Sequence, residues 1–193
     1  MNDLVFDEEG RGKLINGITT ISKAVKSTLG PRGKTVLIES QNHTNGITIT
    51  KDGVTVAKSI NLKDPVENLA VRMMKEAADR TATSAGDGTT TAIVLTEAMV
   101  TRGNEFITER NNPTEVLRNV NTVVDGVVKS LEKVSKKVSG KTLKDVASIS
   151  ANNDRELGAI IADAYNKVGK EGIVTVENSQ TDKTYSEVTN GIK

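Results

Sequence analysis

Between two long helical patterns the chain carries Ser84-Ala85-Gly86-Asp87-Gly88-Thr89-Thr90-Thr91, and no other stretch limits the architecture as much. Gly86 and Gly88 lack a Cβ, so the backbone there can take positive φ and approach a ligand closely. The two helices must therefore meet at a polar elbow. Asp87 is an acceptor-only carboxylate on that turn, suited to a hard cation such as Mg²⁺. Thr89, Thr90 and Thr91 supply hydroxyls, and their N–H groups open a helix whose orphan donors and positive dipole end attract anions. An anion cradle beside a metal carboxylate suits a Mg-nucleotide. The plainer alternative makes Asp87 an N-cap. A cap is worth about 1 kcal/mol, whereas each threonine in a helix start costs roughly 0.5 kcal/mol relative to alanine. Capping alone leaves the threonine triplet unexplained.

The 193 residues suffice for one large domain, or one domain and a smaller module. Aromatic residues make up only 2% (Phe6, Phe106, Tyr165 and Tyr185), so the core has to be built from Val, Ile, Leu, Ala and Met. That scarcity argues against a base-stacking surface, and a net charge of +1 favours neither nucleic acid nor anionic membrane. Without cysteine, disulfides and cysteine-ligated zinc are excluded, which suits a reducing compartment. The opening residues run into Asp7-Glu8-Glu9 and are not expected to act as a secretory leader. The longest apolar stretch, Thr91–Val100, is interrupted and too short to span a bilayer, so a soluble protein is expected.

Taken in order, Asp7 is expected to cap a helix running to about Leu29, with Leu14, Ile18, Ile21 and Val25 as its apolar stripe. Gly30-Pro31 stops it. Thr35–Glu39 and Gly46–Thr50 read as two strands of a hairpin around Asn45-Gly46, with solvated His43, the sole histidine, in the turn. Lys51-Asp52-Gly53 is a polar corner. Asp64-Pro65-Val66-Glu67 opens a helix with proline at its first position and a glutamate placed for a capping box. Leu69, Met73, Ala77 and Thr81 continue that helix into the elbow. Thr89 to Thr108 reads as a buried central helix. Another starts at Asn112-Pro113, with Val116, Val120, Val124, Val127, Leu131 and Val134 along one side. Ser135–Lys141 is the candidate domain boundary. Beyond it come helices near Leu143–Ser148 and Asp154–Val168, a strand over Ile173–Glu177 and a polar tail.

Thr28–Thr35 imitates a Walker A loop but has two residues between its glycines instead of four, and a strand pattern follows it instead of a helix. A tight turn at a helix end remains, either a plain stop or a nucleotide contact. Asp52 and Asp87 are the two carboxylates on glycine-adjacent turns. Together they could hold Mg²⁺ and order a water for attack on a γ-phosphate, with Lys51 neutralising phosphate oxygens. Alone, Lys-Asp-Gly is a common turn. No Ser/His/Asp, Cys/His or zinc-type arrangement is present.

Five stretches taken together resemble group I chaperonins of the GroEL type in order and spacing. They are Thr28-Leu29-Gly30-Pro31, Ile49–Val54, Gly86–Thr91, Ile149-Ser150-Ala151-Asn152 and Val168–Gly172. The resemblance covers about Asp7 to Gly191. It implies a mainly α fold: residues 1–134 as the amino-terminal part of an equatorial helical bundle, with a β-hairpin reaching a neighbouring subunit. Residues 135–189 would then be the first half of a small α/β intermediate domain, and 190–193 the start of an apical domain. It also implies ATP-driven folding of non-native protein in a double heptameric ring, with a co-chaperonin, in the cytoplasm of a bacterial or phage-infected cell or in an organelle matrix. By matching position, Thr28, Leu29, Gly30, Pro31 and Ser150 border the nucleotide. Lys51 contacts it, Asp52 organises the catalytic water and Asp87 ligates Mg²⁺. Gly88, Thr89, Thr90 and Thr91 hold the phosphates, and Thr28, Lys51 and Thr90 occupy K⁺-site positions.

The departures weigh too. The sequence stops where the family's apical domain begins, so the surfaces for unfolded protein and co-chaperonin lie outside it, and so does the family's second catalytic aspartate. The segment alone is therefore not expected to turn over ATP, and its uncovered apolar stripes should favour association. Arg110-Asn111-Asn112-Pro113 replaces a glycine usual before Asn-Pro, and Lys141–Ser148 follows the family loosely. A second reading makes the chain a non-catalytic interaction module that docks on chaperonin rings through strand addition by its hairpin.

Overall fold

The structure, a computed structural model, describes residues 4–39, 46–108, 110–169 and 171–191. Among them lie seven helices and one hairpin: α1 (Asp7–Lys26), β1 (Val36–Glu39), β2 (Ile47–Thr50), α2 (Gly53–Ser59), α3 (Pro65–Ala85), α4 (Thr89–Phe106), α5 (Pro113–Val134), α6 (Lys141–Ser150) and α7 (Arg155–Val168). The architecture is mainly helical, as expected. No helix among the described residues is long and apolar enough to cross a membrane.

Local chemistry sets most boundaries. Asp64 caps α3 by accepting from the Val66 N–H at 2.8 Å and the Glu67 N–H at 3.1 Å, with Pro65 at the first position. The expected capping box does not close: the Glu67 carboxylate accepts instead from Asn16 Nδ2 of α1 at 2.5 Å. Asp7 is not a cap either. It is the first residue of α1, with φ 54°, behind a Phe6 that makes no side-chain cap bond. The start of α1 relies on Asp7, Glu8 and Glu9 against the helix dipole. At its other end α1 stops at Lys26, and i→i+3 bonds from Ser27, Thr28 and Leu29 carry one tighter turn to the expected limit.

Contacts divide the chain into Met1–Val124 and Asp125–Lys193, with the division inside α5. In the first unit α1 packs against α2, α3 and α4. The core consists of Ile21, Val25, Val56, Ala57, Val71, Met74, Ala78 and Ile93, with no aromatic ring. The α1–α3 crossing is close, since a Cβ on Gly17 would overlap the Glu67 carbonyl and lie 3.1 Å from Ala70 Cβ. This explains why α3 buries Ala70, Val71, Met74 and Ala78, while Leu69 and Met73 stay 49% and 64% exposed. The crossing admits alanine, not leucine, and turns the helix accordingly. In α4 only Thr89 and Ile93 are buried, so it is not the fully buried helix its sequence suggests. No residue of α5 is buried.

The hairpin is antiparallel, pairing Val36 with Thr50, Leu37 with Ile49, Ile38 with Thr48 and Glu39 with Ile47. Val36 and Ile38 lean on the core, whereas Leu37, Ile47 and Ile49 face outward and are each more than two-thirds exposed. His43 and Asn45 of the expected turn lie outside the described residues. In the second unit α6 and α7 pack together, closely enough that a Cβ on Gly158 would overlap Ser148. Residues 173–177 form no strand. The ladder among the described residues is that of β1 with β2.

Two stability tests follow from this packing. Gly17→Ala should lower the urea midpoint by an amount worth about 1–3 kcal/mol, as overpacking does. Gly12→Ala, on the same helix with open space around it, should raise the midpoint by up to about 1 kcal/mol. Equal effects would contradict the crossing. The second test is pH. The Glu67 N–H first, then Lys13 at 3.0 Å, hold the Asp64 carboxyl below its ordinary 3.8. Asp64, followed by Glu9, raises Lys13. A depressed carboxyl stabilises above its unfolded-state pKa, and that stabilisation is lost as pH falls through the native value. The raised lysine contributes below about pH 10.5 and loses its contribution above it. Asp64→Ala should therefore be less stable than the parent at pH 7, with the gap closing below pH 4.

Candidate functional site

Three turns distant in sequence flank one junction of the first unit, where the last turn of α1, the start of α2 and the first turn of α4 come together. The loop after α1 is the first. Thr28 Oγ1 donates to the Val25 carbonyl at 2.8 Å, Gly33 N–H to the Gly30 carbonyl at 2.9 Å, and Lys34 N–H to the Ser27 carbonyl at 2.7 Å. Gly30 has φ 76°, and a Cβ on Gly33 would overlap the Thr28 carbonyl. The loop is thus wound tight on its own carbonyls, with Leu29 and Pro31 on the outside.

The second turn leads from β2 into α2. Thr50 Oγ1 accepts from the Asp52 N–H at 3.0 Å. Asp52 then caps α2. Its Oδ2 accepts from the Thr55 N–H at 2.8 Å and the Thr55 hydroxyl at 2.6 Å, and its Oδ1 from the Val54 N–H at 3.4 Å. Burial pushes this carboxyl up, but the Thr55 hydroxyl, the Thr55 and Val54 N–H groups and the Lys58 charge outweigh it. The net result lies below the ordinary aspartate value, so Asp52 is ionised at neutral pH.

The elbow between α3 and α4 is the third turn. Gly86 (φ 74°) ends α3 and Gly88 (φ 87°) is the N-cap of α4, both left-handed as expected from the glycines. Asp87 Oδ1 accepts from the Gly88 N–H at 2.6 Å, and Asp87 itself is exposed. The plain-cap alternative for Asp87 is therefore not what the structure shows. Asp52, Asp64 and Asp154 cap α2, α3 and α7 with their carboxylates, whereas α4 starts with no side-chain cap bond. Thr89 is buried, Thr90 half-buried and Thr91 exposed.

Gly53 marks the junction itself. A Cβ there would overlap Thr90 Oγ1 and come 3.3 Å from Val25 Cγ1, so the corner after Lys51 and Asp52 lies directly on the first turn of α4 and the last turn of α1. An ion pair of 2.5 Å between Lys26 of α1 and Glu97 of α4 fastens the same junction. Ser150 ends α6 in the second unit, ahead of Asn152 and Asn153 with φ of 56° and 65°. Among the described residues no group of three or more His, Cys, Asp or Glu gathers into a metal cage. Mg²⁺ needs none, because one or two carboxylates with substrate phosphates hold it. An exposed Asp87 and an uncapped helix start fit that pattern.

The helix α2 and the Thr55 contact escaped the sequence reading. Their signal was present in Asp52-Gly53-Val54-Thr55, a cap residue followed by a hydroxyl three positions on.

The family model of the TCP-1/cpn60 chaperonin family matches residues 21–193. Among solved structures, the chain is similar to the chaperonin gp146 from the bacteriophage EL 2 (Pseudomonas aeruginosa) crystallised in presence of ATP-BeFx. There the TM-score is 0.74 at 32% identity over 84% of this chain. A group III chaperonin in the open state gives a TM-score of 0.68 at 26% identity over 86% of this chain. The chain spans 28% of the first of these proteins and 34% of the second. With the match covering most of the sequence, the chain belongs to the TCP-1/cpn60 chaperonin family.

Proposed function

We propose that this chain is the amino-terminal portion of a group I-type chaperonin subunit, and that the three-turn junction binds and hydrolyses Mg-ATP. The observation carrying the proposal is the approach of Gly53 to Thr90, which sets the Asp52 corner on the first turn of α4. The phage relative crystallised in presence of ATP-BeFx is in keeping with it. Residues 1–134 are assigned to an equatorial domain, 135–189 to the first part of an intermediate domain, and the chain from 190 to an apical domain. The group I assignment rests on the Gly86–Thr91 element and the four stretches that accompany it. Working in a heptameric ring, single or double, in the cytoplasm, with a co-chaperonin and non-native substrates, belongs to the same proposal.

The division of labour follows from the chemistry of each group. The N–H groups and hydroxyls of Thr89, Thr90 and Thr91, with Gly88, hold phosphate oxygens at the positive end of α4. Asp87 holds Mg²⁺, and Lys51 neutralises phosphate charge. Bound Mg²⁺ supplies charge neutralisation at the phosphates. Thr28 through Pro31 border the nucleotide, and Ser150 is assigned a nucleotide contact only by its matching position in the family's motif. At a K⁺ site, Thr28 and Thr90 offer hydroxyl oxygens, whereas Lys51 can contribute only its carbonyl because its ammonium repels a cation. Asp52, ionised and fixed by Thr55, accepts a hydrogen bond from the attacking water and orients it.

The test uses the complete subunit. Asp87→Ala should abolish Mg-dependent turnover. Asp52→Asn keeps a good N-cap on α2 and should slow hydrolysis roughly 100-fold or more while nucleotide affinity stays near that of the parent. Retained turnover in Asp87→Ala, or parallel loss of binding and hydrolysis in Asp52→Asn, would contradict these roles.

A further inference from the structure

The hydroxyl of Thr55 bonds differently from the back-bonded hydroxyls of the helices. Ser59 in the same helix donates to the Val56 carbonyl, and Thr81, Thr96 and Ser148 donate to carbonyls four residues back. Such back-bonding is the default for a hydroxyl in a helix. Thr55 Oγ1 instead donates to the Asp52 carboxylate, at 2.6 Å and onto the same Oδ2 that takes the Thr55 N–H at 2.8 Å. Two short bonds from one residue fix Oδ2. Oδ1 keeps only the 3.4 Å contact from the Val54 N–H. A carboxylate with one oxygen doubly held and the other nearly free has a defined orientation and one available acceptor.

We propose that Thr55 is a positioning residue for Asp52: its hydroxyl pins Oδ2 and leaves Oδ1 to accept from the water that attacks the nucleotide. This rests on the Mg-ATP reading above and adds to it a residue that need not touch nucleotide. Charge-assisted hydrogen bonds of this length are the strong kind and confer geometric definition. Hydrolysis that depends on orienting a water is sensitive to misplacement of its acceptor. Binding is not, because the phosphates are held by α4.

Thr55→Val keeps the branched shape and removes the hydroxyl, Thr55→Ser restores it, and Thr55→Ala covers the case in which valine disturbs α2. Each is measured in the complete subunit for kcat and for the affinity of a non-hydrolysable Mg-ATP analogue. The expectation is a kcat lowered roughly 10- to 100-fold in Thr55→Val and Thr55→Ala, analogue affinity within about twofold, and kcat recovered in Thr55→Ser. Added to Asp52→Asn, Thr55→Val should cause no further loss, because the two act as a unit. Unchanged kcat in both hydroxyl-less variants, or an additive loss in the Asp52→Asn background, would overturn the proposal. A parent subunit that neither binds nor hydrolyses Mg-ATP would instead overturn the nucleotide reading beneath it.

Discussion

The arrangement depends on one close approach, where α2 begins at Gly53 with Thr90 Oγ1 of α4 occupying the space a side chain would need. Val25 of α1 completes the contact, so one backbone atom without a substituent allows three segments to converge. Around it the packing is small and aliphatic. Interdigitated Val, Ile, Ala and Met give a close-packed junction that transmits displacement instead of absorbing it. The Lys26–Glu97 pair ties the α1 and α4 sides together. A polar cluster at the edge of such a junction is held to the precision of the helices that carry it, and that precision is what chemistry by positioning requires.

The sequence revealed the elements whose signals are local. Asp64-Pro65 and Asn112-Pro113 begin helices as their cap chemistry demands, and Gly86 and Gly88 take the left-handed conformation their lack of Cβ allows. What depends on tertiary contact was hidden. The face α3 buries is decided by how near α1 comes at Gly17, which no periodicity of α3 alone encodes. The seven-residue α2 looked like a corner because glycine opens it and β-branched Val54, Thr55 and Val56 follow. Residues 173–177 carry a strand pattern and form no strand, because alternation alone does not build a ladder. In the site, the residue types around the elbow were legible, whereas Asp52 fastened by Thr55 was not.

The chain leaves much apolar surface outside. Leu117, Val123, Val127 and Leu131 of α5 are more than half exposed, as are Leu37, Ile47 and Ile49 of the hairpin. Surface of this kind marks association, and a two-stranded ribbon seldom stands unsupported. In the proposed ring, further copies of the subunit are available to meet such faces.

The central claim is most directly tested by a cryo-EM reconstruction of the complete subunit with Mg²⁺ and ATP-BeFx. The account predicts phosphate density against the Thr89–Thr91 amides, the metal on the Asp87 carboxylate, and Asp52 within one water of the terminal phosphate mimic. Nucleotide density away from the first turn of α4, or Asp52 and Asp87 on opposite sides of it, would contradict the account.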